Sequence, residues 1–214
     1  MKKLMLGAIV ALFLLSCKKE KRISQEDVDF KLINKVQSLT TPNARKIAFS
    51  TLLDNQEKLI AITDQLAFLS EDANLSNEQS MLIRELSSKI PSDFYNVDGK
   101  SRDRFMVDYG NAWIKTASRV LGAQYIRDNL VKLVSINQKS STLTANSLNG
   151  DSEGDDGGSE TGTKKDCKCS RTSDWCNSNT EGDCVEAACS SINGCGFLLA
   201  YSCDGWCSKM LILL

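Results

Sequence analysis

Eight of the nine cysteines in this 214-residue chain fall between Cys167 and Cys207, and the ninth, Cys17, stands alone near the start. No other feature constrains its folding as much. A segment of about 40 residues is too small to build an adequate apolar core, and covalent staples must compensate. Cys167, Cys169, Cys176, Cys184, Cys189, Cys195, Cys203 and Cys207 are therefore expected to form four disulfides, each worth about 2–4 kcal/mol through restriction of the unfolded chain. Eight cysteines allow about 105 connectivities, and spacing alone selects none. Cys167 and Cys169 lie too close in sequence to bridge each other easily, so each is expected to bond to a distant partner. The rival chemistry, two zinc ions on eight thiolates, is disfavoured. The segment has one C-x-C and no C-x-x-C knuckle, and exported thiols tend to oxidise.

The lone cysteine has its own context. Lys2-Lys3 precedes the apolar run Leu4 to Leu15, and Ser16-Cys17 follows. A basic start, a short apolar run and a small residue at its end describe a secretory signal over residues 1–16. The run falls short of the about 20 apolar residues that a membrane span needs. Leu14-Leu15-Ser16-Cys17 resembles the lipobox of bacterial lipoproteins. That resemblance implies that Cys17 carries the lipid, that residues 17–22 form the anchored N-terminal tether, and that the lipid holds the chain to a membrane of the bacterial cell envelope. Lys18-Lys19 after the cysteine, in place of an acidic pair, favours an outer-membrane lipoprotein with the leaflet left open. Lipidation of Cys17 also settles the cysteine parity.

Composition excludes several chemistries. The chain has no histidine, which removes Ser-His-Asp and Cys-His nucleophilic catalysis, H-E-x-x-H zinc hydrolysis and His-ligated metals. A formal net charge of -1 does not draw the chain to nucleic acid. No glycine-rich phosphate loop occurs. The sequence thus calls for no cofactor, no metal and no enzymatic activity.

Residues 23–138 read as a helical domain. A shorter helix is expected from Ser24 to Leu39. Thr41-Pro42 supplies a hydroxyl cap and a proline at the first helical position. Ala48, Leu52, Leu59, Ile62, Leu66 and Leu69 then recur at steps that keep them on one helix face. Ser76-Asn77-Glu78-Gln79 fits a capping box, Leu82, Leu86 and Ile90 follow in steps of four, and Pro91 ends that helix. Phe105, Tyr109, Ala112, Trp113, Thr116 and Val120 make a further face, and Ile126, Leu130 and Leu133 either continue it or start a fourth helix past Gly122. Four or five such helices can close a bundle. Asp103 and Asp108 are a candidate carboxylate pair, but no second pair faces them. Arg102, Arg104, Lys115, Arg119 and Arg127 interleave with acidic residues and read as a solvated face. Tyr109 and Trp113 read as core aromatics ahead of a ligand groove.

Residues 139–165 are almost free of apolar side chains and read as a disordered Gly/Ser/Asp linker. Asp151, Glu153 and Asp155 alternate like the start of a calcium loop, but Asp156 and Gly162 stand where that loop needs Gly and Glu. Lys164-Lys165 is either a paired basic site open to a protease or two solubilising charges.

The tail, residues 166–214, carries the functional signal. It opens Cys167-Lys168-Cys169-Ser170-Arg171-Thr172-Ser173-Asp174-Trp175-Cys176 and later contains Gly194-Cys195-Gly196. The C-x-C-S opening, the Ser-Asp-aromatic-Cys close, the Gly-Cys-Gly and the order of eight cysteines resemble the bacteriocin fulvocin C-related family. Spacing departs from that family around Cys184, Cys189 and the Cys203–Cys207 gap. The resemblance covers about a quarter of the chain and implies a module that inhibits competing bacteria, displayed on the cell or released by cleavage. From Gly150 onward there are five basic and eleven acidic residues, so cationic attack on anionic bilayers is not its mode of action. Little regular structure is expected here beyond a helical turn over Asp183 to Ser190. Phe197 to Tyr201 is expected to fill the disulfide core with Trp175 and Trp206. Met210 to Leu214 either meets a membrane or receptor or folds back.

The expected architecture is mainly α: a helical bundle, a flexible linker and a small disulfide-rich module. The leading function is a lipoprotein that presents or releases a fulvocin C-like module. The alternative is a non-toxic envelope lipoprotein whose tail is a binding or structural module, with an envelope component as its partner.

Overall fold

The computed structural model describes residues 28–134, 167–176 and 182–208. The signal segment, Cys17, the stretch over 139–165 with Lys164 and Lys165, and Met210 to Leu214 lie outside the described residues. The chain is mainly helical, and its C-terminal segment is crosslinked by four disulfides. No helix among the described residues is long and apolar enough to cross a membrane.

The helices begin where the sequence places caps. Asp29 caps α1 (Phe30–Gln37) by accepting from the amides of Lys31 and Leu32. Thr41 Oγ1 accepts from the Ala44 amide at the start of α2 (Pro42–Leu52), with Pro42 at the first turn. Ser76 and Gln79 form the expected reciprocal capping box on α4 (Asn77–Lys89), and Ile90 turns extended ahead of Pro91.

The single face expected from Ala48 to Leu69 is interrupted. Asp54 and Glu57 form a second capping box, with bonds of 2.8 Å in both directions, and it starts α3 (Asn55–Ser70) afresh. Leu52 is consequently 57% exposed, and Leu53, in extended backbone at the joint, is buried in its place.

A similar correction applies further on. Residues 100–122 run as α5 (Lys100–Phe105), a π-helical turn over Met106–Gly110, α6 (Asn111–Ala117) and a second π turn over Ser118–Gly122. Each wider turn rotates the following residues relative to a regular 3.6-residue face. Met106 and Ala117 are therefore buried with Phe105 and Trp113, while Ala112 faces out. Gly110 leaves room for the Met106 side chain, whose Sδ would lie 2.6 Å from a β-carbon there. Gly122, at φ +88°, breaks the run before α7 (Ala123–Leu130).

Two buried polar side chains tie the ends of the helical half. Gln65 Nε2 donates to the carbonyls of Asn129 (2.5 Å) and Lys132 (3.1 Å), and its Oε1 accepts from the Val134 amide at 2.9 Å. Arg45 donates to the carbonyls of Leu133, Leu39 and Thr40. Desolvation lowers its pKa, and three carbonyl dipoles face the guanidinium.

The crosslinked segment carries more regular structure than its sequence suggests. β1 (Asp183–Glu186) pairs antiparallel with β4 (Gly205–Ser208), in the register Cys184 opposite Cys207 and Val185 opposite Trp206. β2 (Ile192–Cys195) pairs antiparallel with β3 (Tyr201–Cys203), with an irregularity between Asn193 and Cys195. The helical turn expected over Asp183 to Ser190 is thus replaced by a strand. Pairing with β4 satisfies its backbone, and the Cys184 and Cys189 bridges hold it to the opening residues.

The two halves share one buried apolar cluster. Phe197, Leu198, Leu199 and Tyr201 belong to it together with Phe49, Phe94, Trp113, Ile126 and Leu130. Cys167, Cys195 and Cys203 form a second, smaller buried cluster.

Candidate functional site

The disulfides join Cys167 to Cys189, Cys169 to Cys184, Cys176 to Cys207 and Cys195 to Cys203. All eight expected residues are paired, and Cys167 and Cys169 bond to separate partners as their spacing requires. The Sγ atoms of Cys169, Cys176 and Cys184 lie within 4.8 Å of one another. Each is half of a disulfide, so none offers a thiolate to a metal.

Short polar side chains complete the scaffold. Asp174 accepts from the Cys176 amide at 2.8 Å through one oxygen and from the Cys184 amide at 2.7 Å through the other. Arg171 reaches Asp204 through its amide (2.8 Å) and its Nε (3.3 Å), and pairs with Glu186 at 2.9 Å. Lys168 Nζ lies 5.0 Å from the centre of the Trp206 ring.

Phe197 to Tyr201 does not fill the disulfide core. The cluster at the cystines is made of Cys167, Cys195 and Cys203, with Cys189 and Ile192 against it. The turn between β2 and β3 instead packs with the apolar side chains of the helical half. Phe197 is fully buried, with its ring centre 5.8 Å from that of Trp113 and 6.4 Å from that of Trp175. Leu198 and Leu199 both hold left-handed backbone, at φ 54° and 57°, which costs a non-glycine residue about 1–2 kcal/mol each. Gly196, at φ +70°, opens the turn, and Ser173 Oγ accepts from the Phe197 amide at 3.0 Å.

Three residues of the helical half grip this tip. Tyr95 Oη donates to the Leu198 carbonyl at 2.6 Å. Arg102 Nη1 donates to the Ala200 carbonyl at 2.8 Å, while the guanidinium lies over the Tyr201 ring at 4.7 Å. Trp113 is held in position by donating from Nε1 to the Leu82 carbonyl at 3.0 Å. On the far side β2 runs close to α2: a β-carbon at Gly194 would lie 3.1 Å from Lys46 Cγ and 3.3 Å from its carbonyl. Desolvation pushes the Tyr95 phenol well above its ordinary range. It also raises Tyr201, whose shift the Arg102 charge partly offsets.

A cleft of about 340 Å³ opens at the seam of the two halves, with Asp103, Asn111, Asp174, Trp175 and Tyr201 in its wall. The other sequence candidates separate. Asp103 pairs with Arg102 at 3.0 Å, and Asp108 is exposed. Tyr109 packs against Phe105 and Trp113 is buried, so both are core aromatics. Nothing in the sequence of Pro91–Gly99 distinguishes the Tyr95 phenol from a surface one. Arg102 was visible only as one charge in a mixed stripe.

Comparison with family models, with curated proteins and with solved structures finds no match for this chain.

Proposed function

We propose that this chain is an exported, lipid-anchored envelope protein that presents its four-disulfide segment as a recognition module on a helical carrier. By its resemblance to the fulvocin C-related family, the module acts against competing bacteria. Cys17 provides the anchor, residues 139–165 the tether, and the helices a bundle that holds the module. The observation that supports this most is the division of labour within the tail. Four disulfides stabilise residues 167–207, and its largest apolar side chains are thereby spared to seat the module on the helical half. Packing of the module on the helices favours display by the intact chain over simple release at Lys164-Lys165.

The test compares the purified oxidised protein with its reduced, alkylated form in growth-inhibition assays over a broad strain panel. Inhibition by the oxidised form alone is the expected result. Equal lack of effect from both removes the inhibitory role. One observation favours the second reading, a non-toxic binding lipoprotein. The seam cleft combines an indole, two carboxylates and an amide, a set suited to a polyhydroxylated ligand such as an envelope glycan. Glycan-array binding without inhibition would select it.

A further inference from the structure

Two of the four crosslinks sit side by side. Cys169–Cys184 and Cys176–Cys207 both tie the opening residues to the β1–β4 ribbon, one to each strand. Cys176 Sγ lies within 4.8 Å of Cys169 Sγ and of Cys184 Sγ, although it is bonded to neither. Cys184 and Cys207 are in turn directly opposite each other in the ribbon. Opposite residues of an antiparallel pair have Cα atoms about 4.5–5.5 Å apart, inside the range that a disulfide spans. Gly205, on the same face of β4 as Cys207, leaves room for the Cys184 sulfur, which would lie 2.9 Å from a β-carbon there. The Asp174 carboxylate holds the arrangement from the backbone side, with one oxygen on the Cys176 amide and the other on the Cys184 amide. Solvent grades the four crosslinks. Both residues of Cys176–Cys207 are half-buried, Cys169–Cys184 and Cys167–Cys189 each have one buried residue, and Cys195–Cys203 is buried at both ends.

Four cysteines placed in this way have two complete pairings. We propose that Cys169, Cys176, Cys184 and Cys207 form a thiol-triggered exchange switch, whose second state pairs Cys169 with Cys176 and Cys184 with Cys207. A low-molecular-weight monothiol starts it. Its thiolate attacks Cys207 Sγ, the Cys176–Cys207 bond breaks, and Cys176 leaves as thiolate while Cys207 is held in a mixed disulfide. Cys176 Sγ then attacks Cys169 Sγ, which forms Cys169–Cys176 and releases Cys184 as thiolate. Cys184 Sγ attacks Cys207 Sγ, which forms Cys184–Cys207 and returns the monothiol. No net electron is consumed. The opening residues thereby lose both ties to the ribbon and keep Cys167–Cys189 alone, while β1 and β4 become clipped to each other. Thr172 to Trp175 form one wall of the seam cleft, so the pairing decides how firmly that wall is held. The inference rests on the placement of the sulfurs and needs neither lipidation nor inhibition of other cells.

The test treats the oxidised full chain with sub-stoichiometric 2-mercaptoethanol near the ordinary thiol pKa, about pH 8, and quenches it in acid. Trypsin cuts after Lys168 and Arg171, a glutamate-specific protease after Glu181 and Glu186, and an aspartate-specific protease before Asp204. Mass spectrometry of the unreduced digest then reads each pair. Peptides joined through Cys169–Cys176 and through Cys184–Cys207 are expected in equal amounts, with Cys167–Cys189 and Cys195–Cys203 unchanged. A digest that holds only the starting pairs overturns the proposal, as do pairs scrambled over all eight cysteines. Cys207→Ser provides the nucleophile internally, because it leaves Cys176 as a free thiol. Without added thiol, iodoacetamide should label Cys176 and Cys184 to extents within about tenfold of each other. Label confined to Cys176 in a variant that circular dichroism shows to be folded overturns the exchange, and the wild-type digest decides independently of that variant. Limited trypsin cleavage after Arg171 should be about tenfold faster in the exchanged chain, isolated in acid and returned to buffer, than in the starting chain. Equal rates overturn the control of the cleft wall.

Discussion

All four tyrosines of the chain, Tyr95, Tyr109, Tyr125 and Tyr201, are held above the ordinary phenol range, and for each the largest cause is desolvation. Glu85 adds to the effect at Tyr109, Asp72 at Tyr125 and Asp103 at Tyr201. Raising the pH therefore provides a perturbation with a definite sign. Below about pH 10 the phenols are neutral in both folded and unfolded chains, and their contribution to stability is complete. Above it the unfolded chain loses protons that the folded chain keeps, so stability falls as pH rises towards the folded pKa values. Tyr95, whose hydroxyl donates into the buried turn, contributes about 1.4 kcal/mol per pH unit over that interval. Tyr109 and Tyr125, whose hydroxyls are also buried, act in the same direction, and Tyr201, where the Arg102 charge offsets part of the shift, contributes less. Against a total stability of about 5–15 kcal/mol, the fold should fail within a few pH units above 10. Tyrosinate absorbance at 295 nm, followed alongside circular dichroism, measures this. Tyrosine ionisation and loss of structure should coincide, with little absorbance change before unfolding. Tyr95→Phe should lower the slope of stability against pH by about one proton. A phenol that titrates reversibly near pH 10 in the folded protein would refute the burial assigned to it. An unchanged slope in Tyr95→Phe would refute the desolvation of that phenol.

Two further perturbations probe the rest of the architecture. Gln65→Leu removes three bonds to the Asn129–Val134 segment and leaves buried partners unsatisfied, so a loss of about 2–4 kcal/mol is expected in urea unfolding at neutral pH. A loss below about 0.5 kcal/mol would show that water replaces the amide. Replacing both Cys176 and Cys207 by Ser opens the crosslink of greatest sequence separation, 31, and should cost about 3–4 kcal/mol by loop entropy. The Cys195–Cys203 crosslink, of separation 8, should cost about 2.5 kcal/mol by the same term. A larger loss from the Cys195–Cys203 pair would show that support of the buried turn outweighs the entropy of the open chain.

Structure is legible in the sequence wherever a few adjacent residues decide the outcome. Thr41-Pro42, Ser76 to Gln79 and Ile90-Pro91 each fix a helix end through bonds or sterics within one turn, and the structure has each of them. The full pairing of eight cysteines was legible for a similar reason: the segment has few other means of stability. What failed depended on distance or on register. The break at Asp54 was hidden because a capping box inside an apolar-periodic run leaves the period almost intact. The π turns were hidden because an extra residue per turn has no composition of its own. The contact of Tyr95 with Leu198 spans 103 residues and has no local trace.

The fate of Phe197 to Tyr201 follows from how small modules are stabilised. The expectation that these residues fill the module's interior assumes that a disulfide segment needs an apolar centre. Four crosslinks remove that need, since their contribution acts mainly on the unfolded chain and is independent of where the apolar side chains point. The buried cystine cluster of Cys167, Cys195 and Cys203 already excludes water from the middle. The side chains that remain must still leave water, because burial of a Phe or Leu is worth about 1.5–3 kcal/mol each. Among the described residues the helices supply the large apolar surface within reach, and the left-handed pair Leu198-Leu199 is the local strain accepted to reach it. A strain of about 1–2 kcal/mol per residue is smaller than the burial gained by each leucine together with the capped carbonyls beside it. Stabilisation by sulfur thus leaves the module's aromatic and aliphatic residues available for contact, and in this chain that contact is made with its own helices.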